Sequence, residues 1–230
     1  MSRAAAVILD DQVRIPAEAF RFEFFRRWSR SDDFPDRGRI DYLEGEVEVD
    51  MSPEDLYTHG VVKTTLAAEL HALVAVPGHG AVFVDSTRVT VPETGLSAEP
   101  DVVAVTWKRL QSGLVREVPA SGKGPGRFVE LEGSPDLVVE IVSDSSVKKD
   151  LRRLPRLYAR SRIPELWIVD ARGEELVFRI ATLAGSSYRR RRPDRDGWLE
   201  SPFLGRRVRL VRELNAFSRW QYRLEHQREE

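Results

Sequence analysis

The chain contains no cysteine, and its 230 residues include only four histidines and two methionines. Without cysteine it can form neither a disulfide framework nor a thiolate zinc site, and it has no cysteine nucleophile. No apolar stretch approaches the roughly 18 residues that a membrane-spanning helix needs. The short apolar run at residues 4–9 is followed at once by acids, so it makes a poor signal peptide. We therefore expect a cytoplasmic protein without a membrane segment.

Three catalytic signatures are also missing. The sequence has no G-x-S-x-G nucleophile elbow, no phosphate-binding glycine loop and no pair of histidines at metal-ligand spacing. Their absence argues against an unrelated α/β hydrolytic enzyme.

The charge is balanced overall but unevenly distributed. A net charge of −1 gives no global field that would attract nucleic acid. Only five of the 36 basic residues are lysine, and arginines crowd residues 152–162 and 189–192. Each arginine segment either contacts phosphates or forms a solvated surface balanced by nearby acids. The sequence leaves both interpretations open.

Apolar periodicity and turn residues predict a mixed α/β (α+β) chain with a full core. We expect an N-terminal helical extension at 1–38, a main domain at 39–217 and a charged tail at 218–230. The end of the chain, from Asn215 onward, is predicted to be helical. Ser52 is the predicted cap of a long helix that ends near Val76. The other predicted elements are a helix at 16–30, a hairpin at 39–51, strands at 81–84, 87–92, 101–107 and 136–143, a helix at 148–162, strands at 165–170, 174–181 and 186–192, and a mobile loop at 111–126.

Two acids interrupt strands that are otherwise apolar. Glu140 lies inside the run 137–142, and Asp101 begins the run 101–105 directly after Pro100. A buried carboxylate without a partner costs several kcal/mol, so it is paired, protonated or bound to a metal ion. Glu140 alone could end near the sheet edge and pair with an arginine. The two acids together favour a metal site.

The stretch from Arg39 to Asp170 resembles the PD-(D/E)XK nuclease superfamily, and within it the Uma-type branch of restriction-endonuclease-like proteins. The matching residues are Gly45-Glu46, Met51-Ser52-Pro53 with His59, Pro100-Asp101, the block Pro135 to Ser143, then Asp150, Tyr158 and Ile163 to Asp170. The resemblance covers rather more than half of the chain. It implies a restriction-endonuclease-like mixed sheet flanked by helices.

The resemblance also implies a metal-dependent hydrolysis of DNA phosphodiesters. Asp101 and Glu140 would lie on adjacent strands and converge on Mg²⁺ or Mn²⁺, since carboxylate oxygens suit both ions. The metal would polarise the phosphodiester, help to generate hydroxide and neutralise the leaving oxygen. A homodimer would suit the cutting of two strands.

Two further residues occupy positions that the resemblance marks as assisting the site. Glu46 would add an acid from the second strand of the hairpin, although Glu44, Glu46 and Glu48 alternate as solvent-facing residues also would. His59 would lie one helical turn before Lys63 on the same face. A partly buried structural histidine is the alternative.

The chain departs from the family at the lysine that normally holds the attacking water. The position two residues after Glu140 is Val142, and the family's helix position, four residues after Asp150, is Leu154. Lys149 is our first candidate to replace that amine, because it begins the helix that follows the Glu140 strand. Lys148 and Lys63 are the other candidates.

Two functional hypotheses follow. The first is an Mg²⁺-dependent DNA endonuclease in which Asp101 and Glu140 bind metal while Glu46, His59 and Lys149 assist. The second is a protein that retains the nuclease fold without cleavage and acts as a DNA-binding or protein-interaction module. Leu154 is the observation that favours the second hypothesis.

Overall fold

The computed structural model describes residues 6–9 and 13–228. Within that part of the chain the strands are β1 (Ala6–Leu9), β2 (Val13–Pro16), β3 (Arg39–Leu43), β4 (Glu46–Asp50), β5 (Gly80–Val84), β6 (Arg88–Val91), β7 (Leu96–Ala98), β8 (Val102–Thr106), β9 (Val115–Pro119), β10 (Phe128–Gly133), β11 (Leu137–Ile141), β12 (Glu165–Asp170), β13 (Val177–Ala184), β14 (Ser187–Arg190), β15 (Leu199–Ser201), β16 (Arg206–Leu214) and β17 (Trp220–Arg228). The α-helices are α1 (Phe22–Trp28), α2 (Val61–Leu70), α3 (Trp107–Gln111) and α4 (Leu154–Arg160), and short 3₁₀ turns occupy Ala17–Phe20 and Pro92–Thr94.

A central six-stranded sheet has the order β14-β13-β12-β11-β8-β5. Strand β11 runs parallel to β12 and antiparallel to β8, so the sheet is mixed. Strands β8 and β11 are buried along nearly their whole length, which is why their sequences are continuous apolar runs. The mixed α+β fold class expected from the sequence is confirmed.

The two faces of the central sheet pack against different partners. Val102, Ala104 and Val139 belong to the core that contains the buried side of α2 and the β16–β17 hairpin. Val103 and Val138 belong to the core that contains α4 and the strands of the second sheet. Alternation along β11 therefore places Glu140 on the α4 face.

A second six-stranded sheet has the order β4-β3-β7-β6-β10-β9 and includes the hairpin predicted at 39–51. Glu44 and Gly45 take φ values of 52° and 96° at the hairpin turn, as a two-residue type I′ turn requires. Strand β9 falls inside the loop that the sequence predicted at 111–126, so that prediction is wrong for Val115–Pro119.

The long helix starts later than predicted. Leu56–Gly60 forms a π-helical turn that leads into α2, and His71–Ala75 forms another at its end. Asp55, not Ser52, caps the helix, because its carboxylate accepts the backbone N–H groups of Tyr57 and Thr58. The residues before Asp55 are therefore free to line a cleft.

A π-helical turn over Lys149–Arg153 precedes α4. Pro155 has no N–H to donate, so regular α-helical bonding cannot run unchanged through this point. The backbone N–H of Leu154 instead bonds to the carbonyl oxygen of Lys149, five residues earlier. Lys149 and Leu154 thus lie one π-helical turn apart.

Both ends of the described chain add strands. The helix predicted at 16–30 is the short turn Ala17–Phe20 followed by α1, and the preceding β1–β2 hairpin was not predicted. The helical tail predicted from Asn215 is wrong, because β17 pairs along its length with β16. Continuous antiparallel pairing between two charged strands outweighed the helical pattern. The domain boundaries at 38 and 217 stay a prediction.

Glu165 links the central sheet to the C-terminal strands through hydrogen bonds, so its replacement tests how much these bonds stabilise the fold. Its buried carboxylate accepts hydrogen bonds from Trp167 Nε1 (2.7 Å), Ser201 Oγ (2.6 Å) and Phe203 N (2.9 Å). We expect Glu165→Ala to lower the free energy of unfolding by roughly 3 kcal/mol, because buried donors lose their acceptor. Urea denaturation measures the change. Glu200→Ala, at an exposed ion pair with Arg191, is the control and should shift it by less than about 1 kcal/mol; equal effects of the two substitutions would contradict the prediction.

Candidate metal centre

An open cleft of about 270 Å³ lies beside the ends of β8 and β11, between the two sheets. Polar side chains line most of it, among them Arg39, Glu54, His59, Asp85 and Ser143. Beneath it lie four buried carboxylates, which we call the acid cluster: Asp41, Asp101, Glu140 and Asp150. Four buried acids in one region require either cations or protons, so each needs an account of its partners.

Asp101 is fully buried at the start of β8. Its Oδ2 accepts the backbone N–H of Ile141 at 2.7 Å, and its Oδ1 accepts Arg39 Nη2 at 2.7 Å. His59 Nε2 lies 3.5 Å from the same Oδ1. Burial would raise the pKa of Asp101, but the His59 contact and the Arg39 charge outweigh it and hold the pKa well below its usual range. Asp101 is therefore ionised.

Glu140 lies next to Asp101 across the β8–β11 ladder. Val139 pairs with Val102, so the register continued by one residue sets Glu140 opposite Asp101, on the same face. The hydroxyl of Tyr158 donates to Glu140 Oε1, whereas Oε2 has no hydrogen-bond partner among the residues that the structure describes. Burial, then the charges of Asp150 and Asp101, raise the pKa of Glu140 well above its usual value.

Asp150 completes this side of the cluster from the π-helical turn before α4. Ser146 Oγ donates to Asp150 Oδ2, but Oδ1 is buried and has no hydrogen-bond partner within the described part of the chain. Burial raises the pKa of Asp150 to about 7 despite that hydrogen bond. These two oxygens, one from Glu140 and one from Asp150, are of the kind that a divalent cation accepts as ligands. Asp150 is one of the residues that match the family, but the sequence alone predicted no role for it.

Lys149 lies inside the cluster and pairs with the fourth acid. Its side chain is 4% exposed, and Nζ lies 3.1 Å from Asp41 Oδ2. Asp41 Oδ1 accepts the backbone N–H of Glu99 at 3.0 Å, which holds the carboxylate in place. Burial would lower the pKa of Lys149, but Asp41 and other acids raise it above the usual value. The amine is therefore an ammonium group.

A second group of ligand atoms faces the cleft. Oxygens of Glu54 and Asp101 and a ring nitrogen of His59 all lie within 4.8 Å of one another, as ligands of one metal ion could. His59 Nδ1 is 3.2 Å from Glu54 Oε2 but outside hydrogen-bonding geometry, so it is an orphan. Lys63 Nζ lies 2.8 Å from Glu54 and 2.6 Å from Asp85. Sequence analysis missed Glu54, because the predicted start of the helix at Ser52 enclosed it.

Glu46 is not part of either group. Its side chain is 71% exposed and pairs with Arg153 at 2.7 Å on the outer side of the π-helical turn. Arg153 also binds Glu48 at 2.7 Å. The alternation of Glu44, Glu46 and Glu48 thus reflects ion pairs with the helix, and the buried acid of this hairpin is Asp41, on the other strand.

The two positions at which the family resemblance leads us to expect a lysine are occupied by Val142 and Leu154, and both lie in the apolar core. Val142 and Leu154 are almost fully buried in the core between the central sheet and α4. Lys149 precedes Leu154 by one π-helical turn, so its side chain leaves the helix near the same face. Of the sequence-predicted residues, the structure brings Asp101, Glu140, His59 and Lys149 into one region and leaves Glu46 outside.

Comparison with known proteins gives one family and one fold. No curated protein matches the chain in sequence. The crystal structure of a putative nuclease of the DUF820 family from Anabaena variabilis superposes with a TM-score of 0.53. It shares 14% sequence identity, and the match covers 72% of this chain and 82% of that chain. This likeness shows that the two proteins share a fold.

The family assignment rests on a longer match to the sequence. Residues 22–211 match the model of the Uma2 family, described as putative restriction endonucleases. The matched range includes β3, the start of α2, both acid-bearing strands and the helix with Lys149. The chain therefore belongs to the Uma2 family of putative restriction endonucleases.

Proposed function

We propose that this protein is a divalent-metal-dependent endonuclease that hydrolyses DNA phosphodiesters. The observation that carries the proposal is the pair of orphan oxygens, Glu140 Oε2 and Asp150 Oδ1, in the same acid cluster as Asp101. Buried carboxylate oxygens are expected to have partners. A divalent cation would satisfy them and balance the charge of the cluster.

Asp101 and Glu140 would hold the ion, with Asp150 beside them in the acid cluster and Glu54 and His59 available on the cleft side. When bound, the ion would supply Lewis-acid activation of a phosphodiester and of a water molecule. Carboxylate ligands suit both Mg²⁺ and Mn²⁺, whereas an imidazole ligand favours Mn²⁺ of the two. His59 would therefore bias the site toward Mn²⁺.

The chain holds these ligands in fixed positions before any ion arrives. The Ile141 N–H orients Asp101, and the buried Tyr158 hydroxyl orients Glu140. Both contacts come from the strand and helix that build the core, so the carboxylates do not depend on flexible loops. Such support is what a metal site needs for a defined geometry.

Lys149 would replace the amine that the family carries at the position of Leu154. Its ammonium group lies among the acids, and the π-helical turn links it to Leu154. Because its pKa is raised, Lys149 would act as a charged hydrogen-bond donor to a water or phosphate oxygen and not as a base. Lys63 is held by Glu54 and Asp85 at the cleft and is the second candidate.

DNA is the proposed partner, and the exposed arginines of β14 and the segment after it are its candidate contacts. Arg189, Arg190 and Arg192 form no ion pair within the described residues, whereas Arg191 pairs with Glu200. In the other arginine-rich segment, Arg153 and Arg160 are neutralised by acids of the β3–β4 hairpin.

No helix in the described residues is long and apolar enough to span a membrane. We propose a cytoplasmic location, and a homodimer stays a prediction.

The second candidate function is DNA binding without cleavage, and Leu154 favours it. If Lys149 serves only as the structural partner of Asp41, and Lys63 only as the partner of Glu54 and Asp85, no amine serves the reaction. The fold and the arginine surface would then remain useful for binding. Cleavage assays separate the two functions, as the following predictions state.

Metal binding should stabilise the folded protein. At a Mn²⁺ concentration of 100 Kd the free energy of unfolding should rise by about 2.7 kcal/mol, because the ion binds the native state preferentially. We expect Asp101→Asn to abolish this response in thermal denaturation. Glu165→Gln, which alters a buried acid on β12, separated from β8 by β11, is the matched control and should keep it. A full response in Asp101→Asn would place the ion elsewhere.

Cleavage of supercoiled DNA with Mn²⁺ tests the catalytic roles. Glu140→Gln should lower the cleavage rate by at least about 100-fold, because the ion loses a ligand. Lys149→Met should also lower it by about 100-fold, the lower range for a group that assists proton transfer or charge neutralisation. Lys108→Met, on helix α3, is the control. If Lys149→Met cleaves DNA as fast as the wild type, the charged hydrogen-bond donor is Lys63. If the wild type does not cleave DNA, the second function, DNA binding without cleavage, is favoured.

DNA affinity should depend on salt through the exposed arginines. Replacing Arg189, Arg190 and Arg192 together by Gln should make the slope of log K against log salt less steep by about 2 to 3, because each phosphate contact contributes about −0.9. Fluorescence anisotropy with a labelled duplex measures the slope. Replacing Arg153 and Arg160 by Gln is the control, since acids already neutralise them; an equal change in both sets would remove the assignment to β14.

A further inference from the structure

Arg39 donates a hydrogen bond to Asp101 Oδ1, the oxygen that also lies near the candidate ligand His59. It is the first residue of β3, and its side chain lines the cleft and is 20% exposed. Nη2 lies 2.7 Å from Asp101 Oδ1 and 4.0 Å from Glu54 Oε1. The same Oδ1 is 3.5 Å from His59 Nε2. The guanidinium group therefore lies at the Glu54–His59–Asp101 ligand group.

We infer that Arg39 is the resident counter-ion of the metal centre, which holds Asp101 Oδ1 while no ion is bound and withdraws when an ion enters from the cleft. The inference rests on the proposed metal-binding function and concerns how the site is regulated. It assigns to Arg39 a role in setting metal affinity, which acts through Asp101 and needs no contact with substrate.

Charge and geometry both support the exchange. An ionised Asp101 at the floor of the cleft needs a cation, and the positive charge of Arg39 is drawn chiefly to Asp101, then to Asp41 and Glu140. The Arg39 guanidinium group, with Nη2 2.7 Å from Asp101 Oδ1, lies on the side from which a metal ion would approach that oxygen. The guanidinium group and the ion are both positive, so they would repel each other at this distance. Arg39 and a dication therefore compete for Asp101 Oδ1.

An arginine must leave such a site by moving, since it cannot lose its proton in a protein. Lys149 is enclosed at the other side of the cluster, whereas Arg39 borders open cleft, so it has space to turn outward. The half-exposed Glu54 carboxylate at 4.0 Å lies on that side. The fold thus fills the site with a cation that can be exchanged without unfolding.

The test is isothermal titration calorimetry of the protein with Mn²⁺ alone. Arg39→Met should bind Mn²⁺ at least about tenfold more tightly than the wild type, because the competing cation is gone. Arg153→Met is the matched control: it removes an equal charge close to the acid cluster, but Arg153 binds Glu46 and Glu48 and not Asp101. Its affinity should stay within about threefold of the wild type. Equal or weaker binding by Arg39→Met would overturn the inference and make Arg39 a group that orients Asp101.

A second measurement avoids reliance on a variant that could fail to fold. In crystals of the wild type soaked with Mn²⁺, Arg39 Nη2 should lie beyond hydrogen-bonding distance of Asp101 Oδ1. An ion bound to Asp101 with the Arg39 contact unchanged would overturn the inference and leave the proposed function standing. Absence of any Mn²⁺ binding by the folded wild type would overturn both, and Asp101→Asn, which should bind no Mn²⁺, identifies the site.

Discussion

The Asp101 carboxylate joins three parts of the chain that are distant in sequence. One oxygen fixes it to the backbone of β11 through Ile141, and the other accepts Arg39 from β3 and contacts His59 from the turn before α2. These contacts cross from the central sheet to the second sheet and to the helix. Because Asp101 is fully buried, they also decide its charge. The cleft, the helix start and the acid cluster all take their positions around this one ionised group.

The electrostatics of the acid cluster divide its members into two classes. Asp101 and Asp41 have close cationic partners in Arg39 and Lys149. Glu140 and Asp150 have none as close, and burial raises the pKa of each. Full ionisation of the cluster calls for more positive charge than Arg39 and Lys149 supply, and a divalent ion would provide it. The proposed metal site is thus an outcome of charge balance as well as of family resemblance.

The main elements and the two acids could be predicted from the sequence, because the runs around Asp101 and Glu140 are apolar, β-branched and bounded by turn residues. The place of Glu46 could not, since alternating acids on a hairpin do not show which side faces a helix. Asp41 escaped notice because its burial depends on the second sheet, and Glu54 because its place at the cleft depends on a helix that starts at Leu56. The strand β17 was mistaken for a helix because its pairing partner lies in the preceding segment. Local patterns gave the strands, and tertiary contacts decided which polar side chains they bury.

The location of the metal ion tests the central claim most directly. Anomalous diffraction from crystals of the wild type soaked with Mn²⁺ would locate the ion independently of activity. We expect one peak bounded by the carboxylates of Asp101 and Glu140, with ligand distances near 2.1 to 2.2 Å, typical of metal–oxygen bonds of this kind. A peak elsewhere, or none at a concentration that saturates binding in solution, would contradict it.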